Sequence, residues 1–311
     1  MTPPLGSLRA AFEATGSPSW VMRVICKQGF DRRHGFHLDL TRSGDQGSRT
    51  AQATQGALVA GETDLIDTDW ISIARSRQTG VELVPICPYG RIMGGMVTAA
   101  GSGINDLSDL PGRRVGVIRA IDKNWIVIRA AFRQRHGSDL NEQAIVKEAL
   151  SKTTLLEWLK AGEVDAAVLP WHLVPRMTAA GGRFRQLCDV LDLIPELGAT
   201  SVPTTFFVVQ ADFANPKQEL ISAFTAAYTE AVNLMRAEET VWREAAAGPD
   251  DSPDMLAALR LSWLRRIQYE WGPDDGAHLE SLFERLKSIA GEKALGIDHM
   301  PRGLFGPAFM Q

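Results

Sequence analysis

A cluster of charged residues follows a short apolar segment at residues 115–118, and a helical pattern begins directly after that segment. Asp122 is a residue type that caps helix N-termini, and the free N–H groups of a helix start attract anions. Arg119 and Lys123 add positive charge, and a guanidinium can hold a carboxylate through two parallel hydrogen bonds. The cluster therefore predicts a binding site for a small anion.

Two tryptophans end two copies of one phrase. Residues 60–70 read AGETDLIDTDW, and residues 161–171, which lie 101 positions later, read AGEVDAAVLPW. Each copy predicts a helix that ends at glycine, an acidic turn and a short strand that finishes at Trp70 or Trp171. Ligands of open α/β sheets bind outside the carboxyl ends of strands. The phrase predicts two lobes that each present an indole to a shared cleft, or alternatively an ordinary turn with both indoles in the core.

Five further residues belong to the candidate set. Asp69 either caps the next helix or meets a ligand donor, because a buried carboxylate needs a partner. His172 either donates to a ligand oxygen or makes a hydrogen bond at the start of its helix. Trp20 follows the first strand in a turn-rich loop near the same edge, and Tyr89 lies at the predicted boundary between lobes. Trp125 either walls the cleft or packs in the core.

The sequence lacks the common spacings for metal binding or nucleophilic catalysis. Its six histidines include no pair four residues apart. It has no Gly-x-Ser-x-Gly elbow, phosphate-binding loop or complete dinucleotide-binding glycine motif. Cys26, Cys87 and Cys188 are widely spaced in apolar settings, which predicts buried thiols. We therefore expect no metal site, no resident cofactor and no catalytic dyad.

Composition restricts the class of protein. The chain has 311 residues, of which 45% are hydrophobic and 23% are charged, and this suits two lobes of ordinary domain size. A net charge of −4 gives no electrostatic footprint for nucleic acid. No segment approaches the roughly 20 apolar residues of a transmembrane helix. Residues 1–4 lack the features of a signal peptide, so the protein is either cytosolic or has lost a leader.

The elements that must position these residues alternate between strand and helix. The alternation predicts a parallel sheet with helices on its faces in each half of the chain. We place crossovers between lobes near residues 89–95 and 198–210, with a helical remainder that includes residues 275–290. The predicted lobe I is residues 1–95 and 206–311, and the predicted lobe II is residues 96–205.

Six motifs occur in a fixed order along residues 8–235. They are Trp20 after the first strand, GFDRRHGF at 29–36, AGETD at 60–64, DTDW at 67–70, LSDLPGRRVGV at 107–117 and AGEVDA at 161–166. Together they resemble the periplasmic solute-binding proteins of ABC importers, in the nitrate/sulfonate/taurine and thiamine-precursor branch. The resemblance implies a type II periplasmic-binding-protein fold, in which two α/β lobes joined by a two-segment hinge close on a ligand.

Residues 69–70, 122–125 and 171–172 are similar to a subgroup encoded beside quinoprotein alcohol dehydrogenases, which implies pyrroloquinoline quinone as the ligand. This flat tricarboxylate could stack on an indole and meet a cationic helix start. The predicted ligand-binding residues are Trp20, Asp69, Trp70, Tyr89, Arg119, Asp122, Lys123, Trp125, Trp171 and His172.

The resemblance implies a monomeric, non-catalytic periplasmic protein that captures a small anionic, aromatic or heteroaromatic carboxylate and works with an ABC importer permease. One alternative is an enzyme on the same fold, of the pyrimidine-synthase or lyase type, although the cysteine-rich motif of that synthase is absent. Another is a protein that delivers a cofactor to a periplasmic dehydrogenase.

Overall fold

The computed structural model describes residues 5–14, 16–43, 48–179, 181–267, 270–301 and 303–305, except for the side chains of 43 and 48–53. The predictions that concern residues 1–4 and the end of the tail lie outside these residues. Within the described part of the chain, no helix combines the length and the apolar character that a membrane crossing requires.

Strands and helices alternate through most of the chain. The first part contains β1 (Ser7–Glu13), α1 (Ser17–Gln28), α2 (Phe30–Arg33), β2 (His37–Ser43), α3 (Ser48–Val59), β3 (Ile66–Asp69), α4 (Trp70–Gln78) and β4 (Leu83–Gly90). The middle part contains β5 (Gly95–Ala99), β6 (Arg114–Val117), α5 (Lys123–His136), α6 (Leu140–Gln143), β7 (Ile145–Glu148), α7 (Lys152–Ala161), β8 (Ala166–Leu169), α8 (Val174–Thr178), β9 (Phe184–Asp189) and α9 (Val190–Glu196). The last part contains β10 (Thr205–Gln210), α10 (Ala211–Ala214), α11 (Gln218–Ala237), α12 (Glu239–Ala246), α13 (Pro253–Arg266), α14 (Asp275–Ala290) and α15 (Glu292–Leu295).

The strands form separate sheets in the two halves of the molecule. One half has the parallel pair β1-β2 and the three-stranded sheet β3-β10-β4, which a bridge between Ala10 and Leu65 connects. The other half has the five-stranded sheet β7-β6-β8-β5-β9. The predicted parallel pairing holds for β1-β2 and for β6 with β7 and β8, but β10 is antiparallel to β3 and β4, and β5 is antiparallel to β8 and β9. Both strands directly follow a crossover and enter their sheet from the opposite direction.

The repeated phrase builds the same device in each half. Gly61 and Gly162 both adopt the left-handed conformation that ends a helix, with φ of 70° and 73°. Asp64 then accepts hydrogen bonds from the backbone and guanidinium of Arg9, at 2.9, 3.0 and 2.5 Å. Asp165 holds Arg114 in the same way, at 2.8, 3.1 and 2.6 Å. The acid of each phrase therefore fixes the helix-to-strand turn to the arginine of a neighbouring strand.

The C-terminal helices contact both halves. Helix α14 packs on α5, and α13 packs on α8, whereas α11 and α12 pack on α1 in the first half. At the end of α13, the Arg266 guanidinium holds both carboxylate oxygens of Asp189 at 2.6 Å and the Met93 carbonyl at 2.9 Å. The strands divide at the predicted crossovers, and the predicted lobe limits and two-segment hinge stay predictions. The helices from α13 onward add a further connection between the two sheets.

We predict that Arg266→Ala lowers the free energy of unfolding by about 3–5 kcal/mol, because it leaves buried oxygen acceptors without their donor. Arg265→Ala is the matched control. Arg265 also contacts Asp189, but its side chain is 45% exposed, compared with 3% for Arg266. We expect the control to cost no more than about 1 kcal/mol. Urea denaturation measures both values, and similar losses in the two variants would contradict the structural role given to Arg266.

Candidate functional site

A cavity of about 260 Å³ lies between the two halves of the molecule, at the carboxyl ends of their strands. Glu13 ends β1, Asp69 ends β3, and Arg119 follows β6 at the start of the loop to α5. The residues that supply its polar and aromatic lining are Phe12, Glu13, Ser17, Thr54, Gln55, Asp67, Thr68, Asp69, Ser72, Tyr89, Arg119, Asp122, Lys123, Asn124, Lys152, Trp171, His172 and Thr205. Both halves therefore contribute charged groups to one cavity.

Two of the lining carboxylates cap helices. Asp69 accepts hydrogen bonds at 3.0 Å from the backbone N–H groups of Ile71 and Ser72, at the start of α4. Asp122 accepts one at 2.8 Å from the N–H of Asn124, at the start of α5. The capping role considered for each residue is confirmed. Since both carboxylates face N–H donors, the two helix starts are already partly satisfied before any solute binds.

Lys123 connects the two halves across the cavity. Its ammonium group, on the first residue of α5, donates to the Thr205 hydroxyl at 2.7 Å, on the first residue of β10. Burial lowers the pKa of Lys123, and the nearby carboxylates Asp69, Asp122 and Asp67 oppose that shift. Burial also pushes the pKa of Asp69 upward, but the charges of Lys123 and Arg75 and the bonds from Ser72 hold it below its ordinary value.

Asp67 is the carboxylate in the most unfavourable position. Burial and the neighbouring charge of Glu13 raise its pKa from 3.8 to about 6, although Lys152 and Lys123 act in the opposite direction. Its side chain opens onto the cavity and receives no hydrogen bond from any other residue of the described part of the chain. A carboxylate of this kind is a good acceptor for a donor group on a ligand.

An ion pair between Glu13 and Lys152 spans the two halves at the cavity wall, with side chains only 18% and 12% exposed. His172 lies on the same wall, is 4% exposed, and has a ring Nε2 without a hydrogen-bond partner. Burial, with the charges of Lys152 and Arg176, keeps the pKa of His172 well below 6.5. The imidazole is therefore neutral at physiological pH and offers its ring nitrogens to a ligand.

Further polar atoms on the cavity lining are buried and unpartnered. The Tyr89 hydroxyl and the Arg119 Nε make no hydrogen bond with residues that the structure describes, and Tyr89 is fully buried. Burial also raises the pKa of the Tyr89 phenol, which stays protonated. Buried polar groups cost free energy unless something pairs with them. The unpartnered atoms mark where a bound solute would be held.

Three of the four predicted indoles do not line the cavity. Trp70 and Trp125 are fully buried in a hydrophobic cluster, and the Trp125 Nε1 donates to the Asn141 side chain at 3.1 Å. Trp20 is 2% exposed and packs edge-to-face against Trp171, with ring centroids 5.8 Å apart. The prediction that these three rings stack on a ligand is corrected, since burial of their large apolar surface holds them in the core. Trp171 alone of the four reaches the cavity.

The structure brings together Asp69, Tyr89, Arg119, Asp122, Lys123, Trp171 and His172 as predicted candidates. Sequence reasoning missed Glu13, Asp67, Lys152 and Thr205. Glu13 and Asp67 carried a usable signal, because each lies at or near the carboxyl end of a strand. Lys152 and Thr205 carried none, since their positions depend on how the two halves meet.

The cysteines bear no relation to the cavity. Cys87 is buried and Cys188 is partly buried, and burial raises the pKa of both thiols to about 12. The prediction that Cys26 is buried is wrong, because it lies on the outer face of α1. Among the described residues, no group of three or more histidine, cysteine or acidic side chains is arranged to hold a metal ion.

Comparisons with known proteins identify a family and a fold. The family described as NMT1/THI5 like matches residues 26–239. The periplasmic aliphatic sulphonate binding protein SsuA from Escherichia coli is 17% identical, with 92% of this chain and 87% of that chain covered and a TM-score of 0.69. The alkanesulfonate-binding SsuA from Xanthomonas axonopodis bound to MOPS is 14% identical, with 95% of this chain and 96% of that chain covered and a TM-score of 0.72.

The Candida albicans CA3427 gene product, described as having the generic periplasmic binding protein structural fold, is 12% identical with a TM-score of 0.66, and 97% of this chain and 93% of that chain are covered. No curated protein matches the sequence. The predicted α/β fold of the periplasmic-binding-protein class is confirmed.

We predict that Asp67→Asn and Asp69→Asn change the stability of the ligand-free protein in opposite directions at pH 7.5. The raised pKa of Asp67 means that its ionised form is less favourable in the folded state, so the amide should stabilise by about 1–3 kcal/mol. This gain should shrink as the pH falls from 7.5 to 5, because the native carboxylate then binds its proton. The lowered pKa of Asp69 predicts a loss instead. Urea denaturation at both pH values tests this, and equal signs would refute it.

Proposed function

Since the chain belongs to the NMT1/THI5-like family, we propose that it is the substrate-binding protein of an ABC importer and encloses a small solute between two lobes. The observation that carries this proposal is a cavity whose charged lining comes from both halves of the molecule. A solute that touches both walls favours the closed arrangement over an open one, which is how such a protein reports that it is loaded.

Contacts across the cavity support capture by closure. Glu13 pairs with Lys152, and Lys123 donates to Thr205 at 2.7 Å. Each contact joins an element of one sheet to an element of the other, so opening would break both. Paired charges inside an enclosed space gain little over charges in water because of desolvation. A bound solute that forms hydrogen bonds with the remaining polar atoms would supply the free energy that stabilises the closed arrangement.

The proposed solute carries an acidic group that binds at Arg119 and the start of α5. Arg119 lines the cavity and has no ion pair within the described part of the chain. Sulfonate binding, the property named for SsuA from Escherichia coli, is compatible with such a cation. A guanidinium suits sulfonate and carboxylate alike, because both present two oxygens to its fork.

Pyrroloquinoline quinone suits this cavity less well than a smaller acid. A tricarboxylate would face the carboxylates of Glu13, Asp67, Asp69 and Asp122, and only one of the four predicted indoles, Trp171, lines the cavity for stacking. The lining also favours a non-catalytic role. His172 is neutral and its Nε2 has no partner, so it lacks the oriented acid that a catalytic histidine requires. We further propose a periplasmic location, a monomer and a permease partner, by analogy with this type of importer.

We predict that a bound solute changes the fluorescence of Trp171. Native mass spectrometry of the purified protein first shows whether a small molecule is retained. The protein is then freed of any retained solute and titrated with ethanesulfonate, taurine, β-alanine, an aminopyrimidine and pyrroloquinoline quinone. A ligand should raise the melting temperature by several degrees at saturation, and Trp171→Phe should abolish most of the fluorescence change.

Trp158→Phe is the matched control. Trp158 belongs to α7, its indole packs under the Lys147 ammonium group of β7, and it does not line the cavity. The control should keep the full fluorescence response. If no solute is retained and no small acid stabilises the protein, the proposed function is wrong. Turnover of a bound compound that is lost in His172→Ala would instead favour an enzyme.

A further inference from the structure

We propose that the solute is a zwitterion, whose acidic group binds Arg119 in one half of the molecule and whose protonated nitrogen binds Asp67 in the other half. This inference rests on the proposed function and adds the substrate class. It assigns the specificity of the site to two residues that lie in different lobes. Asp67 belongs to β3, and Arg119 follows β6.

Most of the charged groups that line the cavity already have partners within the protein. Glu13 is paired with Lys152. Lys123 donates to Thr205, and Asp69 accepts hydrogen bonds from the backbone N–H groups of Ile71 and Ser72. Asp122 accepts hydrogen bonds from the backbone and side chain of Asn124, both at 2.8 Å. These contacts account for every charged group on the lining except Asp67 and Arg119.

Asp67 and Arg119 do not neutralise each other. Within the described residues, neither forms an ion pair, and both open onto the same cavity. A cavity with one unpaired carboxylate and one unpaired guanidinium presents one negative and one positive group to a ligand. Buried unpaired charges are costly. A ligand with charges of both signs satisfies the two residues at once, whereas a simple anion satisfies only Arg119.

The surroundings of Asp67 favour a donor. Burial and the charge of Glu13 raise the pKa of Asp67, although Lys152 and Lys123 act in the opposite direction, and the buried hydroxyl of Tyr89 lies near enough to feel the Asp67 charge. The Tyr89 hydroxyl and the His172 Nε2 are both unpartnered on the same lining. A protonated nitrogen has several N–H groups, so it can bond Asp67 and also meet a neutral acceptor. A second acidic group at this position would add to the repulsion between Glu13 and Asp67.

The overall charge of the lining supports the same conclusion. Four carboxylates and three permanently basic side chains line the cavity, so it carries one negative charge when all of them are ionised and His172 is neutral. A monoanion would increase that excess. A zwitterion leaves the net charge of the cavity unchanged and supplies a partner to both Asp67 and Arg119. The site thus selects against acids without an amine as well as against amines without an acid.

The experiment compares matched compounds by calorimetric titration of the released wild-type protein. Glycine, taurine and ω-amino acids from β-alanine to 6-aminohexanoate are the zwitterions. The matched acids and amines lack one of the two groups. We expect at least one zwitterion to bind about tenfold or more tightly than both of its matched compounds. The preferred chain length would also report the separation between the two binding groups.

Two variants then assign the groups. In Asp67→Asn, the affinity ratio between the zwitterion and its matched acid should fall toward one. In Arg119→Gln, the ratio between the zwitterion and its matched amine should fall toward one. Asp250→Asn is the matched control, because Asp250 is an exposed acid outside the cavity lining. Its ratios should equal those of the wild type. Urea denaturation checks that each variant is folded.

The results of these experiments distinguish failure of the zwitterion inference from failure of the proposed function. If the acids bind as tightly as the matched zwitterions, or if Asp67→Asn leaves their ratio unchanged, the zwitterion inference is overturned and the capture function stands. A solute retained on purification is classified by accurate mass and fragmentation, and one that lacks either group also overturns the inference. If nothing is retained and nothing in the panel binds, both proposals fail.

Discussion

The position of the Lys123 ammonium governs the architecture of the cavity. The group lies on the first residue of α5 and reaches β10 through Thr205. A buried ammonium is tolerated only where carboxylates and hydroxyls replace its water. Asp69 supplies that replacement, and Asp69 in turn is held by the first N–H groups of α4. One cation thereby fixes the relative positions of two helix starts and a crossover strand.

Local chemistry was predictable from the sequence wherever the interaction partners are close along the chain. A helix begins after the strand at residues 114–117, as the pattern predicts, and Asp69 and Asp122 cap helices that begin directly after them. The left-handed glycines of the repeated phrase followed from the same reasoning. These features depend on backbone groups two or three residues away, so no knowledge of tertiary structure is needed to recognise them.

Features that depend on the meeting of the two halves were not predictable. Glu13 and Lys152 are 139 residues apart, and nothing in either neighbourhood indicates the other. The indole rings show the same limit. Trp70 and Trp171 end equivalent phrases, yet Trp70 is covered on all sides and Trp171 reaches the cavity. A similar local sequence therefore does not determine whether a large side chain is buried or lines the cavity, because the elements that pack against it decide this.

The placement of α14 has a consequence for how the protein is made. Leu279, Leu282, Phe283 and Leu286 complete the hydrophobic cluster that contains the buried face of α5, although α5 ends at His136. During synthesis, that face emerges long before the helix that covers it. The buried face of α5 therefore stays open to solvent until α14 has been synthesised. Chains that lack α14 would expose this apolar surface and aggregate. A chaperone that binds unfolded chains would therefore protect the nascent protein.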